Sequence, residues 1–197
     1  MREAAGRLVP VGVLVVLMWL VTAANFAVAH GTWNVYGVRP HDPGGFWPNL
    51  LVAPFLHAGT AHLVANTVPL LVLGSVVALQ SSWRFMGVTL AGALVGAVVV
   101  WLLAPAGTVT IGASGLVFAY FGWLLARAVR ERSIAAILLG LAALAIYGGV
   151  LWGLSPFQVG ISWQGHLGGL LGGLGLGWLW PVNSRRALVA ARSGLSV

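Results

Sequence analysis

The sequence predicts an all-α membrane protein, a bundle of six transmembrane helices, on three observations. Hydrophobic residues make up 59% and charged residues 7% of the 197 residues, too little polar surface to coat a water-soluble globule. Apolar runs of membrane-spanning length follow one another at about 8–29, 62–80, 85–104, 114–129, 134–152 and 163–181. With the N-terminus in the cytoplasm, Arg2, Arg7, Arg84, Arg127, Arg130, Arg132, Arg185, Arg186 and Arg192 fall on the inner side and only Arg39 falls outside. A missed or invented span would scramble that asymmetry, so the charges test the helix count. Both termini are then cytoplasmic, 182–197 is a short inner tail, and 1–197 reads as one membrane domain in the cell membrane. The net charge of +7 is accounted for by this orientation and calls for no nucleic-acid partner. Cysteine is absent, which excludes a disulfide framework, a thiolate metal site and a cysteine nucleophile.

The first run follows Arg2 and Arg7 and ends in Ala27-Val28-Ala29, as a signal peptide would, but it is longer than the usual signal core of about 7 to 15 residues. It is read as a retained first helix. The outer segment 30–61 is rich in Pro, Gly and aromatic residues. Trp33, Tyr36, Phe46, Trp47 and Phe55 suit the headgroup layer, and Pro40, Pro43, Pro48 and Pro54 forbid a long helix.

The second run opens with Thr60 as its expected N-cap and carries His62 and Asn66, an i, i+4 pair on one face. Unpaired polar groups are costly in hydrocarbon, so this face is expected to point into the bundle. Singly, either residue fits an interhelical hydrogen bond that only holds helices together. Pro69 is expected to kink the helix one turn further on. The third run, nearly all Val, Leu, Ala and Gly, reads as packing.

The fourth run begins at Ser114 within Gly112-Ala113-Ser114-Gly115. A first-turn position exposes unpartnered N–H groups and the positive end of the helix dipole, where an oxyanion is best stabilised; serine is also a preferred N-cap. Leu116 breaks the G-x-S-x-G pattern of the soluble nucleophile elbow. Gly115, Ala119, Gly122 and Ala126 form a stripe of small residues. Arg127, Arg130, Glu131 and Arg132 are assigned to the inner loop, and the fifth run reads as a lipid-facing or mobile helix. The outer loop 153–162, with Gly153, Pro156 and Gly160, suits a flexible lid.

The sixth run starts after Ser162, an expected N-cap, and places His166 beside Gly165, Gly169, Gly173 and Gly177. This glycine face can pack against the small stripe of the fourth run and so bring His166 against Ser114. The second, fourth and sixth runs all pass from outside to inside, which puts His62, Asn66, Ser114 and His166 at one depth. A serine needs an adjacent base, and histidine suits that task. No Asp or Glu lies in any span, so only a dyad is available.

These residues resemble the rhomboid intramembrane serine proteases. The resemblance covers nearly the whole chain, about Leu8 to Pro181. It rests on His57-x4-His62-x3-Asn66, Gly112-Ala113-Ser114-Gly115 and Gly165-His166-x2-Gly169-x3-Gly173. It implies a rhomboid-like domain with Ser114 as nucleophile and His166 as general base. His62, Asn66 and the Ser114 backbone N–H would form the oxyanion hole, with His57 structural. It also implies membrane-protein substrates, single-pass or multi-pass, cleaved within or near the outer leaflet with no metal and no cofactor, the site facing the extracytoplasmic side. Two departures stand out: Phe118 replaces a tyrosine that stacks on the base in many members, and the common Trp-Arg pair of the first loop is missing. A catalytically inactive relative that binds transmembrane helices as chaperone or adaptor is the alternative. A transporter or channel fits less well, since the spans carry no acid and no repeat is evident. A metal site on His57, His62 and His166 ranks last, without a carboxylate partner.

Overall fold

The computed structural model describes residues 2–182; the remainder of the expected tail, with Arg185, Arg186 and Arg192, lies outside the described residues. Seven α-helices are present among them: α1 Arg2–Ala29, α2 Phe46–Val52, α3 Thr60–Gln80, α4 Ser82–Leu103, α5 Ser114–Glu131, α6 Ile134–Tyr147 and α7 Trp163–Leu179. The six long helices match the apolar runs. The additional helix, α2, lies in the Pro-rich segment 30–61, where Pro48 falls in the first turn and removes no intrahelical hydrogen bond. Four stretches, Glu3–Ala29, Thr60–Gln80, Ser82–Leu103 and Ile134–Leu154, are long and apolar enough to cross a membrane by themselves, which makes this an integral membrane protein. Of the other two long helices, α5 includes Arg127, Arg130 and Glu131, and α7 is 17 residues long.

The core of the bundle is α7 held between α4 and α5 on two glycine faces. A Cβ on Gly169 would meet the Gly115 backbone, one on Gly173 the Ala119 backbone, and one on Gly177 the Ala126 Cβ. On the opposite face, a Cβ on Gly168 would lie 2.7 Å from Gly96 Cα and one on Gly172 3.0 Å from Ala91 C. Only glycine allows backbones this close. The first face follows from the stripe seen in the sequence. The second shows that α4 contributes glycines to the same contact.

Several local expectations are corrected. Gly59, at φ 144°, occupies the N-cap position of α3, and Thr60 is already helical with no capping hydrogen bond. That backbone conformation suits glycine and turns the chain sharply into the helix. The run 134–152 ends as an α-helix at Tyr147 and tightens into a 3₁₀ helix, Gly148–Leu154, where Gly148 and Gly149 weaken α-helical propagation.

Arg127 lies in α5, not in a loop. Its guanidinium is almost fully buried and donates to the carbonyls of Gly177 (3.2 Å) and Trp180 (2.7 Å) at the end of α7, and to Glu131 (2.7 Å from Nε). Those carbonyls are among the ones a helix end leaves unpaired, so α5 caps α7 at the end opposite Ser114. Ser162 caps the start of α7 as expected, accepting from Gly165 N–H at 3.2 Å.

Candidate active site

Ser114 is the first residue of α5, and Ala113 holds the N-cap position. Its hydroxyl does not cap the helix. Ser114 Oγ lies 2.8 Å from His166 Nε2. His166 is on the first turns of α7 and is 8% exposed, and the Gly115–Gly169 contact fixes the distance between the two helices at this level. Phe118, one turn below Ser114, stacks on the imidazole at 4.4 Å between centroids and 14° between planes.

The second ring nitrogen of His166 is also engaged. His166 Nδ1 lies 2.8 Å from the carbonyl oxygen of Gly153. A carbonyl can only accept, so Nδ1 carries the proton and the neutral ring offers Nε2 as acceptor to the Ser114 hydroxyl. Gly153 belongs to the 3₁₀ helix that continues α6. The segment expected to be a lid therefore starts with a residue docked on His166.

His62 and Asn66 arrive from α3. Ala58 N–H donates to His62 Nδ1 at 3.3 Å, which leaves Nε2 as the protonated nitrogen. A Cβ on Gly112 would lie 2.7 Å from His62 Nε2 and 3.5 Å from Asn66 Nδ2, so both nitrogens approach the backbone two residues before Ser114. Gly112 has φ 104° and donates its N–H to Ala53 O at 2.9 Å, a conformation and a proximity that both require glycine. One Asn66 N–H is held by the His62 carbonyl at 3.1 Å. Ser114, His166, His62, Asn66, Gly112, Gly115, Phe118, Gly165 and Gly169 are thus brought together. A cavity of about 50 Å³ lies against Ser114 and His166, lined in part by Gly92, Gly96, Gly115 and Gly165. A wider recess of about 580 Å³ runs from His62 between the 108–111 and 160–164 segments.

His57 is set back from the serine. It is fully buried, with Nδ1 3.2 Å from Thr22 Oγ1 and its ring edge-on to His62 at 5.0 Å. Burial, then the neighbouring His62, hold its pKa down at about 4, so the ring is neutral at neutral pH. Thr22 and Asn25 of α1 were not singled out in the sequence. Asn25 accepts from Trp33 N–H and donates to Asn34, and Asn34 donates to the His57 carbonyl at 3.3 Å. The signal was available: two polar residues, three apart, near the C-terminal end of an otherwise apolar helix.

Comparison with known proteins bears on this arrangement. The rhomboid domain family matches residues 43–182, which contain every residue just described except Thr22, Asn25, Trp33 and Asn34. The chain belongs to the rhomboid family. An uncharacterized protein of Mycobacterium tuberculosis is 38% identical over 169 residues, covering 82% of this chain and 70% of its own. Rhomboid protease GluP of Bacillus subtilis is 33% identical over 130 residues, 66% of this chain and 25% of its own. The putative rhomboid protease YdcA of the same organism is 26% identical over 179 residues, 87% and 80% of the two chains.

Proposed function

We propose that this rhomboid-family protein is an intramembrane serine endopeptidase that cleaves transmembrane segments of other membrane proteins through a Ser114–His166 dyad. The observation that carries the reading is the 2.8 Å contact between Ser114 Oγ and His166 Nε2, with the tautomer that makes Nε2 the acceptor. Ser114 Oγ attacks the scissile carbonyl while its proton passes to Nε2. The tetrahedral oxyanion is met by the Ser114 N–H at the start of α5, by His62 Nε2–H and by the free N–H of Asn66. Collapse breaks the C–N bond, and the imidazolium returns its proton to the leaving amine. Water then attacks the acyl-enzyme by the same proton route and releases the carboxylate.

In this reading α5 and α7 also span the bilayer. Their neighbours shield them from lipid, so a short or less apolar helix suffices. Both termini are cytoplasmic and Ser114 opens to the extracytoplasmic side of the cell membrane. The small cavity beside Ser114 favours a small residue before the cut, and the recess beyond His62 admits the rest of the substrate. The test is hydrolysis of a fluorogenic transmembrane substrate in proteoliposomes. Wild type is expected to turn over, and Ser114→Ala and His166→Ala to be inactive yet folded. Cleavage at the wild-type rate by either variant would remove the dyad.

A further inference from the structure

A serine–histidine pair normally relies on a carboxylate to hold the histidine in the reactive tautomer, and in a soluble triad the loss of that function costs roughly 10⁴ in rate. This chain holds three acidic residues, each committed elsewhere. Glu3 pairs with Arg7, Asp42 accepts from the N–H groups of Gly44 and Gly45, and Glu131 pairs with Arg127 at the far end of α5. The only group on His166 Nδ1 among the described residues is the Gly153 carbonyl, at 2.8 Å.

We propose, resting on the proteolytic reading above, that Gly153 is a positioning residue whose main-chain carbonyl does the work of the absent carboxylate. The local structure favours it. The 3₁₀ helix Gly148–Leu154 ends one residue later, so its last carbonyls have no partner further along the helix, and one of them is given to the base. The negative end of the helix dipole lies there too, where it stabilises the imidazolium formed when Nε2 takes the serine proton. The preceding carbonyl, that of Trp152, is held separately by Ser155 N–H (3.0 Å) and by Gln158 Nε2 (2.8 Å), which steadies the turn. The position also has to be glycine. A Cβ there would lie 2.8 Å from His166 Nδ1, 3.1 Å from Cε1 and 3.3 Å from Phe118 Cζ, displacing the ring from both its partner and its stacking face.

Activity is thereby tied to the seating of α6. The segment after α6 is not passive, because a base without this carbonyl is free to take the unproductive tautomer. The test has two arms. In the first, ¹⁵N-histidine NMR of the wild type, with the His166 signals assigned by their loss in His166→Gln, is expected to show Nδ1 protonated and Nε2 unprotonated; a neutral ring protonated at Nε2 would overturn the proposal. In the second, Gly153→Ala is expected to lower kcat by about 10² with KM within about twofold. Gly149→Ala, in the same 3₁₀ helix with nothing near its Cβ, is expected to retain activity. Wild-type kcat in Gly153→Ala would likewise overturn the proposal. The first arm needs no substrate, so a wild type that shows the Nδ1 tautomer but no turnover fails the proteolytic reading alone.

Discussion

The backbone contact between α5 and α7 sets the distance between Ser114 and His166, and Gly169→Ala tests that directly. An ideal Cβ at position 169 would overlap the Gly115 carbonyl oxygen, its nearest neighbour, and would lie 2.8 Å from Gly115 C and 3.0 Å from Gly115 Cα, whereas ordinary contact begins at 3.4 Å. Clearing Gly115 C alone takes 3.4 − 2.8 = 0.6 Å, and the carbonyl oxygen, nearer still, demands more. Ser114 adjoins Gly115, and His166 lies one turn before Gly169, so nearly all of that separation is passed to the 2.8 Å Oγ–Nε2 contact. A hydrogen bond stretched this far is weak, and misplacement on the order of 1 Å at a reacting pair costs about 10² in rate. Overpacking costs about 1–3 kcal/mol, partly offset by roughly 0.5–1 kcal/mol from alanine's helix preference. Gly175→Ala is the internal control, since it lies on the same helix with nothing within 4 Å of its Cβ. The expected result is a lower Tm and turnover reduced by about 10 to 10² for Gly169→Ala, with an unchanged rate and a slightly raised Tm for Gly175→Ala. Equal Tm and equal turnover in the two variants would refute the claim that this contact positions the dyad.

Other expectations follow from the same geometry. His62→Ala and Asn66→Ala should each lower turnover by about 10² to 10³, the scale of one oxyanion donor, and unchanged rates would remove them from that role. Arg127→Met strands the carbonyls at the end of α7 and leaves Glu131 with Arg84 alone, so it should cost on the order of 3 kcal/mol, read as a fall in Tm. His57 titrates near 4 in the fold and at its ordinary 6.5 when unfolded, so between these values the unfolded chain binds more protons. Its contribution is complete above pH 6.5 and declines as pH falls toward 4, by up to about 3 kcal/mol. His57→Asn should flatten the fall of Tm with acidification relative to wild type, and parallel curves would contradict the assignment.

The residues legible in the sequence were those whose chemistry is carried by side chains at helical spacing. Ser114, His166, His62 and Asn66 are polar groups in apolar runs, and the burial cost of each marks it. The glycine and alanine stripes on α5 and α7 identify which helices pack, and the structure joins them through Gly115, Gly169 and Gly173. The Gly153 carbonyl left no such mark, because a main-chain oxygen is present at every position and only the fold aims one at His166. Arg127 was misplaced for a related reason. Near a helix end a cation reads as solvated, and its burial depends on where the end of α7 falls. The glycines of α4 that meet Gly168 and Gly172 were visible but lay in a run too uniformly apolar to show a face.

The most direct test of the central claim is covalent labelling of the purified protein in detergent with a fluorescent fluorophosphonate, the modified residue being located by mass spectrometry. The dyad predicts label on Ser114, lost in both Ser114→Ala and His166→Ala. Absence of label in folded wild type, alongside a serine hydrolase that labels in the same detergent, would contradict it.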